Sequence, residues 1–121
     1  MRNLLVTILF VGLIAFIVGG CVSLNLKGET EVVINPAKCH EDCIKVTRGD
    51  VLSYSFKTSN PIDFNIHFHE DGKIIYPVYN KNTVSQEGKF FPDKEEFYCL
   101  MWTNLQTNPV QLIYTYRVDR K

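Results

Sequence analysis

Three short segments carry the side chains able to do chemistry. The first is His67-Phe68-His69. On a β-strand, residues i and i+2 project from one face, ~7 Å apart along the backbone. Two imidazoles so placed can chelate a metal ion, because neutral imidazole is a common ligand for zinc and copper. Glu70 and Asp71 follow directly. The second segment, Cys39-His40-Glu41-Asp42-Cys43, packs soft and hard donors together. The third is Cys99-Leu100-Met101, a thiol and a thioether on one face of a strand. That pairing suits Cu(I). Were these to converge, His67, His69, Cys99 and Met101 would form a copper or zinc site. Ordinary structure accounts for the same residues in another way. The histidines would be plain surface residues, Met101 core filler, and Cys99 half of a disulfide.

Other chemistry is poorly served. There is no Gly-x-Ser-x-Gly elbow and no glycine loop to cradle a phosphate. The carboxylate pairs Glu41-Asp42 and Glu95-Glu96 are adjacent, so on strands they point apart. The chain is therefore read as a non-enzyme. Its 13 basic and 13 acidic residues balance, with no basic run, which argues against nucleic acid as a partner.

What must position these residues begins after an N-terminal segment of a different kind. Arg2 precedes an apolar run, Leu4 to Val18, followed by Gly19-Gly20-Cys21. A charged start, a short apolar core and small residues before a cleavage point are the parts of a secretory signal. The run falls short of the ~20 residues that usually span a bilayer as a helix. Val18-Gly19-Gly20-Cys21 resembles the lipobox of bacterial lipoproteins. The resemblance implies a signal-peptide helix over residues 1–20, cleavage after Gly20, and diacylglyceryl transfer to Cys21, with palmitate-like chains anchoring the mature protein. Several buried acyl chains at ~0.8 kcal/mol per CH₂ hold a protein on a membrane stably. The expected location is the bacterial cell envelope, on the periplasmic or outer face of the membrane. Residues 21–30 read as a lipidated tether and residues 31–121 as one domain. Beyond Cys21 stand three cysteines, Cys39, Cys43 and Cys99. In an oxidising compartment a disulfide is the default, and one cysteine is left over.

From Glu31 the pattern is one of strands and turns. Val51 to Thr58 and Ile62 to His69 alternate apolar and polar residues, as half-buried antiparallel strands do. Leu52, Tyr54 and Phe56 share one face; Ile62, Phe64, Ile66 and Phe68 share another, against His67 and His69. Ser59-Asn60-Pro61 reads as a turn, Glu70-Asp71-Gly72-Lys73 as a hairpin turn, and the polar stretch Asn80 to Gly88 as a loop. Further strands are expected at 32–34, 44–47, 74–79, 89–91, 96–103 and 110–118. About eight short strands with turn signals between them predict an all-β fold, a single antiparallel β-sandwich of jelly-roll-like type.

Gly49-Asp50-Val51-Leu52-Ser53-Tyr54-Ser55-Phe56 followed by Pro61-Ile62-Asp63-Phe64-Asn65-Ile66 resembles the first half of a Golgi-dynamics (GOLD) domain. Phe97 to Asn104 resembles that family's aromatic-rich strand ending in Asn, and Val110 to Val118 its last strand. The family is an interaction module found in cargo receptors. The resemblance implies a GOLD-like β-sandwich and a disulfide joining Cys99 to Cys39 or Cys43. This chain lacks the coiled coil and C-terminal span of the receptors, so their trafficking role does not carry over. The expected role is binding of another envelope protein, besides the membrane contact through Cys21. Aromatics beyond the needs of the core point the same way. Tyr76 and Tyr79 flank Pro77, which marks an edge strand open to a partner strand; Tyr54, Trp102 and Tyr114 are assigned to the core.

Overall fold

A computed structural model describes residues 28–121; the expected signal peptide, Cys21 and most of the expected tether lie outside the described residues. The described chain is all β. Its six strands are β1 (Thr30–Ile34), β2 (Cys39–Val46), β3 (Val51–Glu70), β4 (Lys73–Phe90), β5 (Glu96–Thr103) and β6 (Val110–Asp119).

Six strands stand where eight were expected, because two pairs fuse. Ser59-Asn60-Pro61 does not turn the chain. It forms an irregularity inside the single long strand β3, where the register against β4 shifts between Lys57 and Ile62. A proline has no N–H for a ladder and is tolerated at such a bulge. The irregularity is tied down on several sides. Thr58 Oγ1 donates to the Asn60 carbonyl at 2.8 Å, Gln106 Nε2 to the Pro61 carbonyl at 3.1 Å, and the Gln111 N–H to Ser59 Oγ at 2.9 Å. Asn80 to Gly88 is likewise strand, the second half of β4. Among the described residues β4 pairs only with β3, so it is an edge strand largely open to solvent. Such a strand needs no apolar alternation, which is why its polar sequence resembles a loop. The Asp-Gly turn forms as expected, with positive φ at both Asp71 and Gly72 and Glu70 opposite Lys73.

All pairings are antiparallel, in the order β1-β6-β3-β5-β2, with β4 along the other side of β3. The bulge is the point at which β3 changes partners. Residues 51–58 pair with β6 and residues 63–67 with β5. The sheet therefore divides into two limbs that share the β3–β4 hairpin and curl into a half-barrel. The limbs meet over one core. Trp102 of β5 lies 4.5 Å from Tyr114 of β6 and 5.8 Å from Phe56, ring centre to ring centre. Trp102, Phe64, Leu100, Ile66 and Leu112 are fully buried, and Tyr54 and Tyr114 join them.

Two polar groups inside this body hold corners. Asn104 is fully buried. Its Nδ2 donates to the carbonyls of Ile34 and Asn108 at 2.9 Å each, and its Oδ1 accepts from the Gln106 N–H at 2.7 Å. It thereby welds the β5–β6 loop to the end of β1. Asp50 accepts from the Thr47 and Lys121 amides and from Arg120. The Thr47 and Lys121 amides hold its carboxyl below the usual carboxylate range. Beside it Gly49 sits at φ +98°, the left-handed region that glycine adopts without strain.

Candidate functional site

Strand alternation sends Asp63, Asn65, His67 and His69 of β3 to the side opposite the core residues Ile62, Phe64, Ile66 and Phe68. Register carries that outer face across three strands. His67 pairs with Cys99, Asn65 with Met101, Cys43 with Cys99, and Glu41 with Met101. The second and third chemistry-bearing segments therefore converge on the first. Residues from β2, β3 and β5 meet beside Tyr76 of β4.

His67 is the centre of this cluster. It is only 3% exposed although it lies on the outer face. His69 stands edge-to-face against it at 5.4 Å, and Tyr76 is 5.8 Å away, ring centre to ring centre. Its Nδ1 lies 2.7 Å from Asn65 Oδ1 and its Nε2 2.9 Å from Glu41 Oε2. Burial pushes its pKa below the ordinary histidine value; Glu41 works against that shift and the neighbouring His69 adds to it. Desolvation prevails, so the folded ring gives up its proton more readily than a free imidazole does.

Of the expected metal ligands, His67 and His69 are neighbours on one face, with His69 exposed. Met101 is half-buried on that same face rather than in the core. Cys99 is joined to Cys43 in a disulfide, so its sulfur is not a thiolate donor while the bridge stands. Of the two pairings the GOLD resemblance left open, the structure contains Cys43–Cys99, and Cys39 is free and exposed. The reason is register: Cys43 stands directly opposite Cys99, whereas Cys39 stands opposite Thr103 at the far end of β5. Glu41 was not singled out as a ligand. Its carboxylate and the two sulfurs of the bridge lie within 4.8 Å of one another.

The remaining donors of β2 have a different task. His40 and Asp42 point the other way from Glu41, toward β6. The Tyr114 hydroxyl donates to Asp42 Oδ2 at 2.9 Å and lies 3.0 Å from His40 Nε2. His40 stacks on Trp102. Burial, reinforced by Asp42, pushes the Tyr114 pKa up to about 12, so the hydroxyl keeps its proton and the clasp between the two limbs persists at neutral pH.

Tyr76 and Tyr79, the expected partner-binding residues, are 44% and 48% exposed and touch edge-to-face at 5.4 Å. Ile74, Ile75 and Val84 of the same strand are also exposed. On the other limb, an open groove of about 720 Å³ is lined by Ser53, Tyr54, Ser55, Glu87, Tyr116 and Arg117. None of the expected metal ligands or partner-binding tyrosines lines it, whereas Tyr54, assigned to the core from the sequence, does.

No protein-family model matches the chain, and no curated protein matches it. Among solved structures, it is similar to the solution NMR structure of a de novo designed double-stranded β-helix. The two are 20% identical, with 74% of this chain and 97% of that one covered and a TM-score of 0.44.

Proposed function

We propose that this chain is a lipid-anchored module of the bacterial cell envelope that binds another envelope protein along β4. The observation that carries the reading is the exposed Tyr76–Tyr79 pair on a long strand with a sheet partner on one side only. Rigid exposed aromatics are the side chains on which protein interfaces concentrate binding energy. An open strand edge offers main-chain hydrogen bonds to an extended segment of a partner. Pro77 and the lysines at 73, 81 and 89 guard that edge against unselective pairing, so selectivity falls to the tyrosines. The two facing limbs accord with a GOLD-like β-sandwich, and the disulfide accords with an oxidising compartment. Lipid on Cys21 would hold the module at the membrane, with residues 22–29 as spacer. No catalytic role is assigned.

The test is photo-cross-linking in the native envelope from a reactive residue placed at position 74, an exposed site two residues before Tyr76 on the same strand. A discrete cross-linked partner that disappears when Tyr76 and Tyr79 are both changed to Ala is the expected result. Capture that survives the double substitution would remove this surface from consideration.

A further inference from the structure

The limb formed by β4, β3 and β6 gathers opposite charges around a floor of hydroxyls. The three strands run in register there. Ser53 stands opposite both Lys89 and Arg117, and Ser55 opposite both Glu87 and Thr115. Alternation sends these six side chains to one side of the sheet, away from the core residues Leu52, Tyr54 and Phe56. They form two rows ~7 Å apart along the strands, with small residues in the middle. One row, Lys89, Ser53 and Arg117, is cationic at both ends. The other, Glu87, Ser55 and Thr115, is anionic at one end. Both rows line the groove of about 720 Å³.

Two observations set this face apart from an ordinary solvated surface. Ser53 Oγ is shut off from solvent yet has no hydrogen-bond partner among the described residues, which costs free energy until a partner arrives. The charges are also uncommitted. Lys45, Lys94 and Arg120 each meet a carboxylate, whereas among the described residues neither Lys89 nor Glu87 belongs to an ion pair. Arg117 meets only Asp119, two residues along its own strand and also exposed. Such a contact is worth little in water and is readily exchanged for a better one. A ligand with an anionic group at the Ser53 row and a cationic group at the Glu87 row satisfies all of these groups. A lysine and an arginine flanking a hydroxyl offer donors on three sides, which suits the several oxygens of a phosphate better than the two of a carboxylate.

We propose that this groove binds a zwitterion in which a phosphate ester and an ammonium group are joined by a short linker, as in phosphoethanolamine. The phosphate accepts hydrogen bonds from Lys89 Nζ, the Arg117 guanidinium and Ser53 Oγ, with Arg117 turning from Asp119 to reach it. The ammonium donates to the Glu87 carboxylate, and the Ser55 and Thr115 hydroxyls are its further acceptors. The two rows set the selectivity. An isolated phosphate leaves Glu87 unanswered and sets it against a like charge; an isolated amine does the same to Lys89 and Arg117. The same chemistry occurs in soluble esters and in the headgroup of a membrane lipid. The site depends neither on Tyr76 and Tyr79 nor on lipid at Cys21.

The experiment uses the full chain in an uncharged detergent, titrated calorimetrically with phosphoethanolamine, inorganic phosphate and ethanolamine. Expected is saturable binding of one phosphoethanolamine per chain, at least about tenfold tighter than either half alone, since a charge-assisted hydrogen bond is worth a factor of about ten or more. Glu87→Gln should lower phosphoethanolamine affinity to about that of inorganic phosphate, while phosphate itself binds as well or better. Lys89→Gln combined with Arg117→Gln should abolish binding of both, and Ser53→Ala should weaken both by about tenfold. The three charged positions are exposed, so circular dichroism should be unchanged in their variants. Competition by phosphatidylethanolamine vesicles would place the ligand in the membrane; absence of competition, with phosphoethanolamine still bound, would make it a soluble ester. No saturable binding of phosphoethanolamine at millimolar concentration overturns the site. So does an equal affinity for inorganic phosphate, or unchanged affinity in the Glu87 and the Lys89/Arg117 variants.

Discussion

The Cys43–Cys99 bridge joins residues 56 apart in sequence, and removing it should have a large and calculable effect. Among the described residues β2 pairs with no strand but β5, so the bridge also fastens an edge strand. Closing a loop of that length restricts the unfolded chain by about 4 kcal/mol at 25 °C on the chain-entropy account. For a domain of this size that corresponds to a melting temperature lower by roughly 15–30 °C. The perturbation is the pair Cys43→Ala and Cys99→Ala, which removes the cross-link without leaving a reactive thiol. Equilibrium urea unfolding would read the free energy, with Cys39→Ser as the control expected to change nothing. A loss below about 1 kcal/mol at unchanged urea sensitivity would refute the reasoning. It would mean that the unfolded chain already keeps β2 and β5 together, so that the bridge restricts little.

Two further outcomes follow from buried polar groups. His67 has its folded-state pKa depressed chiefly by burial, so the unfolded chain binds the proton more readily. Its contribution is therefore complete above the unfolded value of about 6.5 and is lost as pH falls from there toward the folded value. Thermal melts at pH 7 and pH 5 should show a drop that shrinks in His67→Gln, and an equal drop in both proteins would exclude His67 as its source. Asn104→Ala would strand the buried Ile34 carbonyl and remove the side-chain partner of the half-buried Gln106 amide and the Asn108 carbonyl, at about 1–3 kcal/mol for a group that water cannot reach. Urea unfolding should show a loss of at least about 1 kcal/mol, and no measurable loss would show that the corner is wet.

The faces of β3 were legible because Leu52-Tyr54-Phe56 and Ile62-Phe64-Ile66-Phe68 alternate without exception. Their fusion into one strand was not. Ser59-Asn60-Pro61 has the composition of a turn, and only the hydrogen bonds from Gln106 and Gln111 show that it is an irregularity in a continuous strand. β4 was half hidden for a different reason: an edge strand is free of the need to bury side chains, so Asn80 to Gly88 shows no period. The site was legible in part. Spacing alone places His67 and His69 on one side. That Glu41 would meet His67 depends on the register of β2 on β5 and of β5 on β3, which is set by distant packing. The same register decides Cys43 over Cys39. Even the burial of His67 is a tertiary effect, since its cover comes from Tyr76 on another strand.

The shared hairpin also sets the order in which the chain can assemble. β3 and β4 are joined by a two-residue turn, whereas β1 must find β6, and β2 must find β5, from opposite ends of the sequence. Closing those long loops carries its entropic cost before any contact compensates. The hairpin is thus the natural nucleus. β5 and β6 can add to its two halves in turn, and the N-terminal strands dock last, against surfaces the later part of the chain has already built. Topologies dominated by such distant pairings fold in milliseconds to seconds, and here the segment made first is the one that waits longest for its partners.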